Sequence, residues 1–392
     1  MSRPVIVAAC RTPIGKHMGG LSSLSATDLG AKAIAEAVRR AGIDADAVQE
    51  VIMGNVLQAG LGQNPARGAA LAAGVSDKVP AFTVNKVCGS ALKAVILAAQ
   101  AIKCGDRDVV VAGGMESMSN APHLMLGSRR GVRLGDAKLV DHMIHDGLWD
   151  HHNGFHMGET GEIVAERFDV TREQSDALAA ASHEKAAKAW ADGAFDAETF
   201  DVEVPQRKGD PVVVRRDEGI REGTTADGIA GMRPVFRRDG QVTAANASQL
   251  SDGAAAVVVT SEAYAKEHGL KVLAAIEAYD ASGTKPEWVM EAPIDSVRNL
   301  FAATGLTIDD IDLFEHNEAF ASASCAVKSQ IAVPDEKFNV HGGAVALGHP
   351  IGASGCRVLV TLIHALQQRG GGRGLATLCL GGGNAVTMVV QA

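Results

Sequence analysis

The 392-residue sequence predicts an internally duplicated α/β fold, and two observations carry that expectation. Strand-like apolar runs alternate with helix-length stretches toward both ends of the chain. In addition, VNKVCGSALKAVILAAQAI (84–102) and VHGGAVALGHPIGASGCRVLVTLIHAL (340–366) read as two versions of one unit with loops of different length.

The elements follow in order. PVIVAAC is a buried strand, LSATDLGAKAIAEAVRRAG an amphipathic helix ending at Gly42, and DAVQEVIMGNVL a second strand region. FTVNKVC then leads into GSALKAVILAAQAIKCG, a helix apolar nearly all round and so expected at the centre of a layered core, and DVVVAGGMESM closes the round. From Ser119 to Val242 the composition shifts to charge, Gly, Pro and His. One clear helix stands there, TREQSDALAAASHEKAAKAWADG, with Thr171 and Gln174 spaced as a capping box. This stretch reads as an excursion that forms a lid or substrate-binding region. NASQLSDGAAAVVVTSEAYAKEHG returns to the core with a strand and a helix. The last quarter repeats the grammar. DIDLFEHNEAF gives a strand and a polar loop entering a helix, FNVHGGAVALGHPIGASG a strand and a Gly-rich turn with Pro350 just inside the next helix, and GRGLATLCLGGGNAVTMVVQA two strands around a glycine turn. The expected division is 1–118 with 243–269 as one half, 119–242 as an insertion, and 270–392 as the other half.

A composition of 46% hydrophobic and 21% charged residues, with 44 glycines, suits a large packed core with many tight turns. The formal charge of −9 argues against a nucleic-acid surface. The N-terminus passes from one Arg directly into a strand, unlike a secretory signal, and no apolar run of transmembrane length is expected; a cytosolic protein without a membrane partner follows. The six cysteines form no CxxC pair and read as reduced thiols. The histidines show no compact metal signature, His151 and His152 being merely adjacent, so no metal is expected.

Chemistry concentrates at four places. Cys88 stands between a strand and a helix opening on Gly89, Ser90 and Ala91, where the helix dipole and free amides lower a thiol's pKa; a buried small hydrophobe is the other reading. His349, in the turn GGAVALGHPIGASG, can take the Cys88 proton because the ordinary pKa values of the two groups are close, or it is a structural turn histidine. Cys379 ends a strand before LGGG, so its sulfur can face a cavity as a second acid and base, or belong to the core. His316 and Asn317 in FEHNEAFA mark either a polar cavity or a helix cap.

Taken together, VNKVCGSALKAV, HNEAFA, GGAVALGHPIGASG and ATLCLGGG resemble the thiolase family over essentially the whole chain, most of all its acetoacetyl-CoA branch. The resemblance implies a five-layered α/β/α/β/α fold with a loop domain inserted in the first half. It implies an acyltransferase for the reversible Claisen condensation of two acetyl-CoA molecules, by a ping-pong route through acyl-Cys88. His349 matches the base that activates Cys88 and, with Asn317 through a water, an oxyanion site for the acceptor thioester. Cys379 matches the acid/base, and the amides of Cys88 and Gly381 match a second oxyanion hole. Leu148, His156, Met157 and Ser248 match residues along the pantetheine path, Arg221 the arginine beside the CoA adenine and phosphates, and Met290 and Phe320 the pocket lining.

The resemblance further implies CoA thioesters as substrates, no tightly bound cofactor, and a homodimer or homotetramer, with MLGSRRGVRLGDAKLVDHM as a tetramer contact. HNEAFA, HMGETGE and GGGNAV depart from the common family motifs and bear on the pocket. A broader-range degradative 3-ketoacyl-CoA thiolase is the alternative, and a noncatalytic CoA-binding scaffold the alternative from another class. Cys379 opposes a ketoacyl synthase, which lacks the second thiol, and a hydroxymethylglutaryl-CoA synthase is disfavoured because its acid/base is a glutamate.

Overall fold

The structure is a computed structural model and describes residues 2–392. Nine principal strands carry it: β1 (Pro4–Arg11), β2 (Glu50–Gly54), β3 (Ala81–Val84), β4 (Val109–Ser117), β5 (Ser251–Ser261), β6 (Ala274–Gly283), β7 (Leu313–His316), β8 (Arg373–Leu380) and β9 (Asn384–Gln391). The main helices are α1 (Ala26–Ala41), α2 (Pro65–Ala72), α3 (Ser90–Cys104), α4 (Gly158–Arg167), α5 (Arg172–Ala191), α6 (Ala292–Thr304), α7 (Ala321–Ile331) and α8 (Ser354–Gln368).

Duplication is visible in the strand order. The first half runs β3-β2-β4-β5-β1 and the second β7-β8-β9-β6. Each half begins with parallel pairing (β3 with β2 and β2 with β4 in the first, β7 with β8 in the second), and the next two pairings are antiparallel. The halves meet edge to edge through two residue pairs only, Val5↔Ala275 and Ile6↔Ala274. So short a seam lets the second half fold over the first. Helices α3 and α8 pack on each other and share one apolar cluster with both sheets, including Val95, Leu359, Val257 and Val386. Helix α1 covers the outer face of the first sheet, and α6 with α7 covers that of the second. Five layers result.

The apolar character of α3 follows from its place between the sheets. The run Val87–Cys104 is long and apolar enough to cross a membrane by length and composition, contrary to the sequence reading, and its burial in the central layer accounts for that. The expected end at Gly42 and the box at Thr171 and Gln174 form, and a further box stands at the start of α1. Ser25 and Asp28 make a capping box at α1, Gly42 takes a left-handed φ of 69° at its end, and Thr171 with Gln174 caps α5.

The stretch between β4 and β5 leaves and rejoins the sheet, whose two strands pair over nine residues from Ser117↔Asp252 to Val109↔Thr260. Arg11 anchors it from beneath. The fully buried guanidinium donates to Glu198 at 2.5 Å and to both oxygens of Asp217 at 2.7 and 3.0 Å. Two local expectations differ from the structure. No strand forms at Phe338, which makes only an isolated bridge to Phe314, because the Asn339 side chain bonds the N–H and C=O of His316 in place of a backbone ladder. Pro350 lies ahead of α8, not inside it, and its carbonyl accepts from the N–H groups of Ala353 and Ser354.

Candidate active site

The turn from β3 into α3 is strained. Val87, a β-branched residue, has φ of 47°, an unfavourable region worth about 1–3 kcal/mol that surrounding contacts must hold. Ser90 fastens the turn: its hydroxyl donates to the Val87 carbonyl at 2.6 Å and accepts from the Lys86 N–H at 2.8 Å. Gly89 is required by close approach, since a Cβ there would lie 2.3 Å from Leu380 Cδ2. The Cys88 side chain is thereby presented, half-buried, to a cavity. The N–H groups of Cys88 and Gly381 bear on its sulfur and favour the thiolate, yet burial outweighs them and pushes the thiol up to about 12.

His349 sits between a short helix (Ala344–Leu347) and α8, and is 6% exposed. Gly348, at φ of 109°, brings the chain against Ser251, and the His349 N–H donates to the Gln249 carbonyl at 3.0 Å. The ring is held at both nitrogens. Nδ1 lies 2.6 Å from Ser354 Oγ, and Nε2 lies 3.4 Å from Asn317 Nδ2. The Ser354 hydroxyl donates to the Pro350 carbonyl at 3.0 Å, so it accepts from Nδ1–H and leaves Nε2 as the acceptor. Burial, helped by the Arg357 guanidinium, pushes His349 down to about 3. At rest, thiol and imidazole are both neutral. The expected match of their basicities is therefore corrected: burial drives the two apart.

Asn317 follows β7. Its N–H donates to the Thr377 carbonyl at 3.1 Å, and its buried Oδ1 has no hydrogen-bond partner among the described residues. The neighbouring segment is clamped by Asn339, whose Nδ2 donates to the His316 carbonyl and to Glu318 Oε1. Helix α7 has Phe320 at its N-cap position, which gives no side-chain cap. Neither a helix cap nor a place in the cavity lining is what the HNE patch takes; its groups are held in a buried hydrogen-bond network through Asn339. Cys379, the last residue but one of β8, is 1% exposed and lies 3.5 Å from Met290 Sδ; burial raises its pKa, and the nearby Cys88 adds to the shift. Gly382 and Gly383 then turn the chain with positive φ into β9.

Cys88, His349, Cys379 and Gly381 open on one cavity of ≈ 420 Å³. Leu148, His156, Met157, Ser248, Met290 and Phe320 also line it. Asn317 is behind this lining and reaches it through His349. Arg221 is not in the lining. Its side chain is exposed, and its backbone N–H donates to His183 Nδ1 at 3.1 Å. Sequence reasoning missed Ser354, Phe236 and Glu116. Ser354 could have been found from the repeat, where it occupies the place of Ser90 at the start of the equivalent helix. Phe236 lines the cavity, stacks on His156 at 4.8 Å and meets Phe320 edge-on. Buried Glu116 accepts from Asn55 Nδ2 and from the N–H groups of Val56, Leu57 and Gly352, tying β4 to the loop that carries His349. Nothing in local pattern distinguishes it from other strand-end acids.

Two thiols and an imidazole on a mostly apolar cavity suit covalent transfer. One sulfur can attack a carbonyl while the histidine takes its proton, the amides of Cys88 and Gly381 can face the oxygen of the resulting adduct, and the second sulfur remains to move another proton. Residues 4–263 match the family model described as thiolase, N-terminal domain, and 270–392 that described as thiolase, C-terminal domain. An acetyl-CoA acetyltransferase of Cupriavidus necator is 53% identical over 391 residues, covering 100% of both chains. A probable acetyl-CoA acyltransferase of Staphylococcus epidermidis is 49% identical, covering 100% of this chain and 99% of its own. Among solved structures, the Bacillus anthracis acetyl-CoA acetyltransferase superposes with a TM-score of 0.98 at 41% identity, over 100% of this chain and 99% of that one.

Proposed function

The chain belongs to the thiolase family, and from that premise we propose that it is an acetyl-CoA C-acetyltransferase acting through acyl-Cys88. The observation that carries the reading is the convergence of Cys88, His349 and Cys379 on one cavity, with Asn317 bonded to the histidine.

In the first half-reaction Cys88 Sγ attacks the thioester carbonyl as its proton moves to His349 Nε2. The amides of Cys88 and Gly381 receive the oxyanion, and the departing CoA thiolate takes the Cys379 proton. Acetyl-Cys88, an imidazolium and a Cys379 thiolate remain. A second acetyl-CoA then places its carbonyl oxygen at His349 and Asn317. Cys379 removes a methyl proton, the enolate carbon attacks acetyl-Cys88, and Cys88 leaves as a thiolate that recovers its proton from His349. The sum is two acetyl-CoA giving acetoacetyl-CoA and CoA. His349, driven to low basicity by burial, holds its proton only while a negative charge lies beside it, which ties each transfer to the chemical step.

Leu148, His156, Met157 and Ser248 line the route for the pantetheine arm, and Met290 and Phe320 close on the acyl group, in keeping with their places in the cavity. Arg221, outside the lining, is assigned to the CoA adenine and phosphates at the protein surface, where its exposure suits a solvated partner. CoA and acyl-CoA act as substrates. The same reading includes a cytosolic homodimer or homotetramer, and a division into 1–118 with 243–269, 119–242 and 270–392, supported by the β4–β5 pairing across the intervening segment.

A thiolysis panel tests the proposal. Purified reduced enzyme with CoA and 3-ketoacyl-CoA substrates of rising chain length should show kcat/KM concentrated on acetoacetyl-CoA. Equal or higher values on medium and long chains would reassign it as a broad-range 3-ketoacyl-CoA thiolase. Brief exposure to acetyl-CoA should add one acetyl group, lost in Cys88→Ala; an unmodified wild-type protein would indicate a noncatalytic CoA binder.

A further inference from the structure

One wall of the catalytic cavity is made by a π-helical turn, Met143–Leu148, and the short hairpin after it, in which Trp149 and Asp150 pair with His156 and Phe155. Met143, Ile144, Gly147 and Leu148 face the cavity. Turns of this kind are rare and concentrate at functional sites. On this turn and hairpin stand three residues the catalytic chemistry does not use. One nitrogen from each of His145 and His151 and one carboxylate oxygen of Asp146 lie within 4.8 Å of one another.

Their surroundings are those of a ligand set. His142 Nδ1 lies 2.6 Å from Asp146 Oδ2, while the Ala59 N–H donates to His142 Nε2 at 3.4 Å. His142 is thus the tautomer that donates through Nδ1, and it holds one carboxylate oxygen in place. The other oxygen, Oδ1, accepts from His145 Nδ1 at 2.9 Å, and His151 Nε2 lies 2.7 Å from the His145 carbonyl, contacts that gather the three side chains and that a bound cation would replace. The His145 and His151 rings meet edge-on with centroids 4.8 Å apart. Side-chain exposures of 34% for His145 and 42% for Asp146 leave room for water to complete a coordination shell. The hairpin turn bearing His151 is itself fixed, because Asp150 accepts from the N–H groups of His152 and Asn153 and from Asn153 Nδ2.

We propose that His145, Asp146 and His151 form a binding site for a late first-row divalent cation, zinc or a similar ion, on the outer side of the cavity wall. Two imidazole nitrogens and one carboxylate oxygen select such ions over magnesium or calcium, which prefer all-oxygen shells. The ion joins the π-helical turn to the hairpin turn. Next in sequence is Gly147, where a Cβ would stand 3.1 Å from Ile351 Cδ1, on the loop that carries His349. The following carbonyl, that of Leu148, accepts from the Met157 N–H at 2.8 Å. A bound ion therefore stiffens the wall between the substrate path and the His349 loop. The site stands on its own geometry and does not depend on which acyl-CoA the cavity takes.

The test uses tag-free, chelator-dialysed protein carrying Cys88→Ala, so that the nucleophilic thiol does not compete for metal. Cobalt(II) is titrated while its visible absorption is followed, and zinc is titrated calorimetrically. One equivalent per chain is expected, with affinity at least tenfold weaker in His145→Ala and in His151→Ala. Both substitutions, placed in protein with Cys88 intact, should leave metal-free thiolysis within twofold of the parent, which establishes that they fold. Absence of saturable binding, or affinity unchanged in both variants, overturns the proposal.

Discussion

Replacing Ser354 by alanine tests whether His349 works because its ring is fixed from behind. The hydroxyl stands 2.6 Å from Nδ1 and is itself held by the Pro350 carbonyl at 3.0 Å. Alanine leaves a buried imidazole N–H without a partner, at a cost of about 1–3 kcal/mol. It also frees the ring to place its proton on Nε2, the nitrogen that the proposed mechanism assigns to receive the Cys88 proton. If most of that cost is felt where the ring becomes charged, acylation slows by about 10–100-fold, since 1.4 kcal/mol is a factor of ten. The assay is a rapid-mixing single turnover, with acetyl-CoA in excess and acetyl-enzyme quantified by mass at each time point. CoA affinity, measured separately, should move little, because Ser354 is fully buried and lies outside the cavity lining. An acylation rate within twofold of the parent would refute the reasoning and place the control of the tautomer elsewhere.

Three further outcomes follow from the structure. Arg11→Ala removes the cation between Glu198 and Asp217 and strands two buried carboxylates, so the urea midpoint should fall by an amount equivalent to about 3–5 kcal/mol; a shift below 1 kcal/mol would mean the anchor contributes little. Gly89→Ala forces a methyl against Leu380 and Val386 beneath Cys88, which should cost about 1–3 kcal/mol of stability and slow acylation, and unchanged rates would show that the turn relaxes freely. The pH dependence of stability has a defined sign. Burial pushes His316 and His349 down to about 3, so below their ordinary value near 6.5 the unfolded chain binds more protons and stability is lost as pH falls, at about 1.4 kcal/mol per pH unit for each histidine. Glu116, raised to about 7, and Glu315, raised to about 8, act oppositely above roughly pH 4.5, where stability is lost as pH rises. The two effects oppose one another between pH 4.5 and 6.5, and the histidine slope emerges below. His316→Ala should flatten that slope by one histidine's share in urea titrations from pH 3.5 to 7; an unaltered slope would exclude the histidine as its source.

Particular residues show where the sequence is legible. Helix α1 and its Gly42 end, the box at Thr171 and Gln174, and the hairpin at Gly381–Gly383 are all local signals, set by neighbours a few positions away. Phe338 has a strand-like pattern but forms no strand, because a backbone partner is displaced by a side chain, Asn339, that only the fold brings beside His316. The Val87–Cys104 run carries the composition of a membrane span because it is sealed between two sheets; its all-round apolarity already pointed to the central layer, while the sheets that seal it come from both halves of the chain.

By itself the sequence determined the kinds of elements, their order, the duplication and the positions able to bear a nucleophile and a base, since all of these depend on periodicity, turn chemistry and repeated pattern along the chain. Only the tertiary structure decided that Cys88, His349 and Cys379 share a cavity, that Ser354 sets the histidine's tautomer, that Arg221 stands at the surface, and that His145 and His151 approach one carboxylate. It also overturned the matched basicities of thiol and imidazole. Burial sets those pKa values, and burial comes from groups hundreds of residues apart that meet only when one short seam of sheet and a central layer of helices close around them.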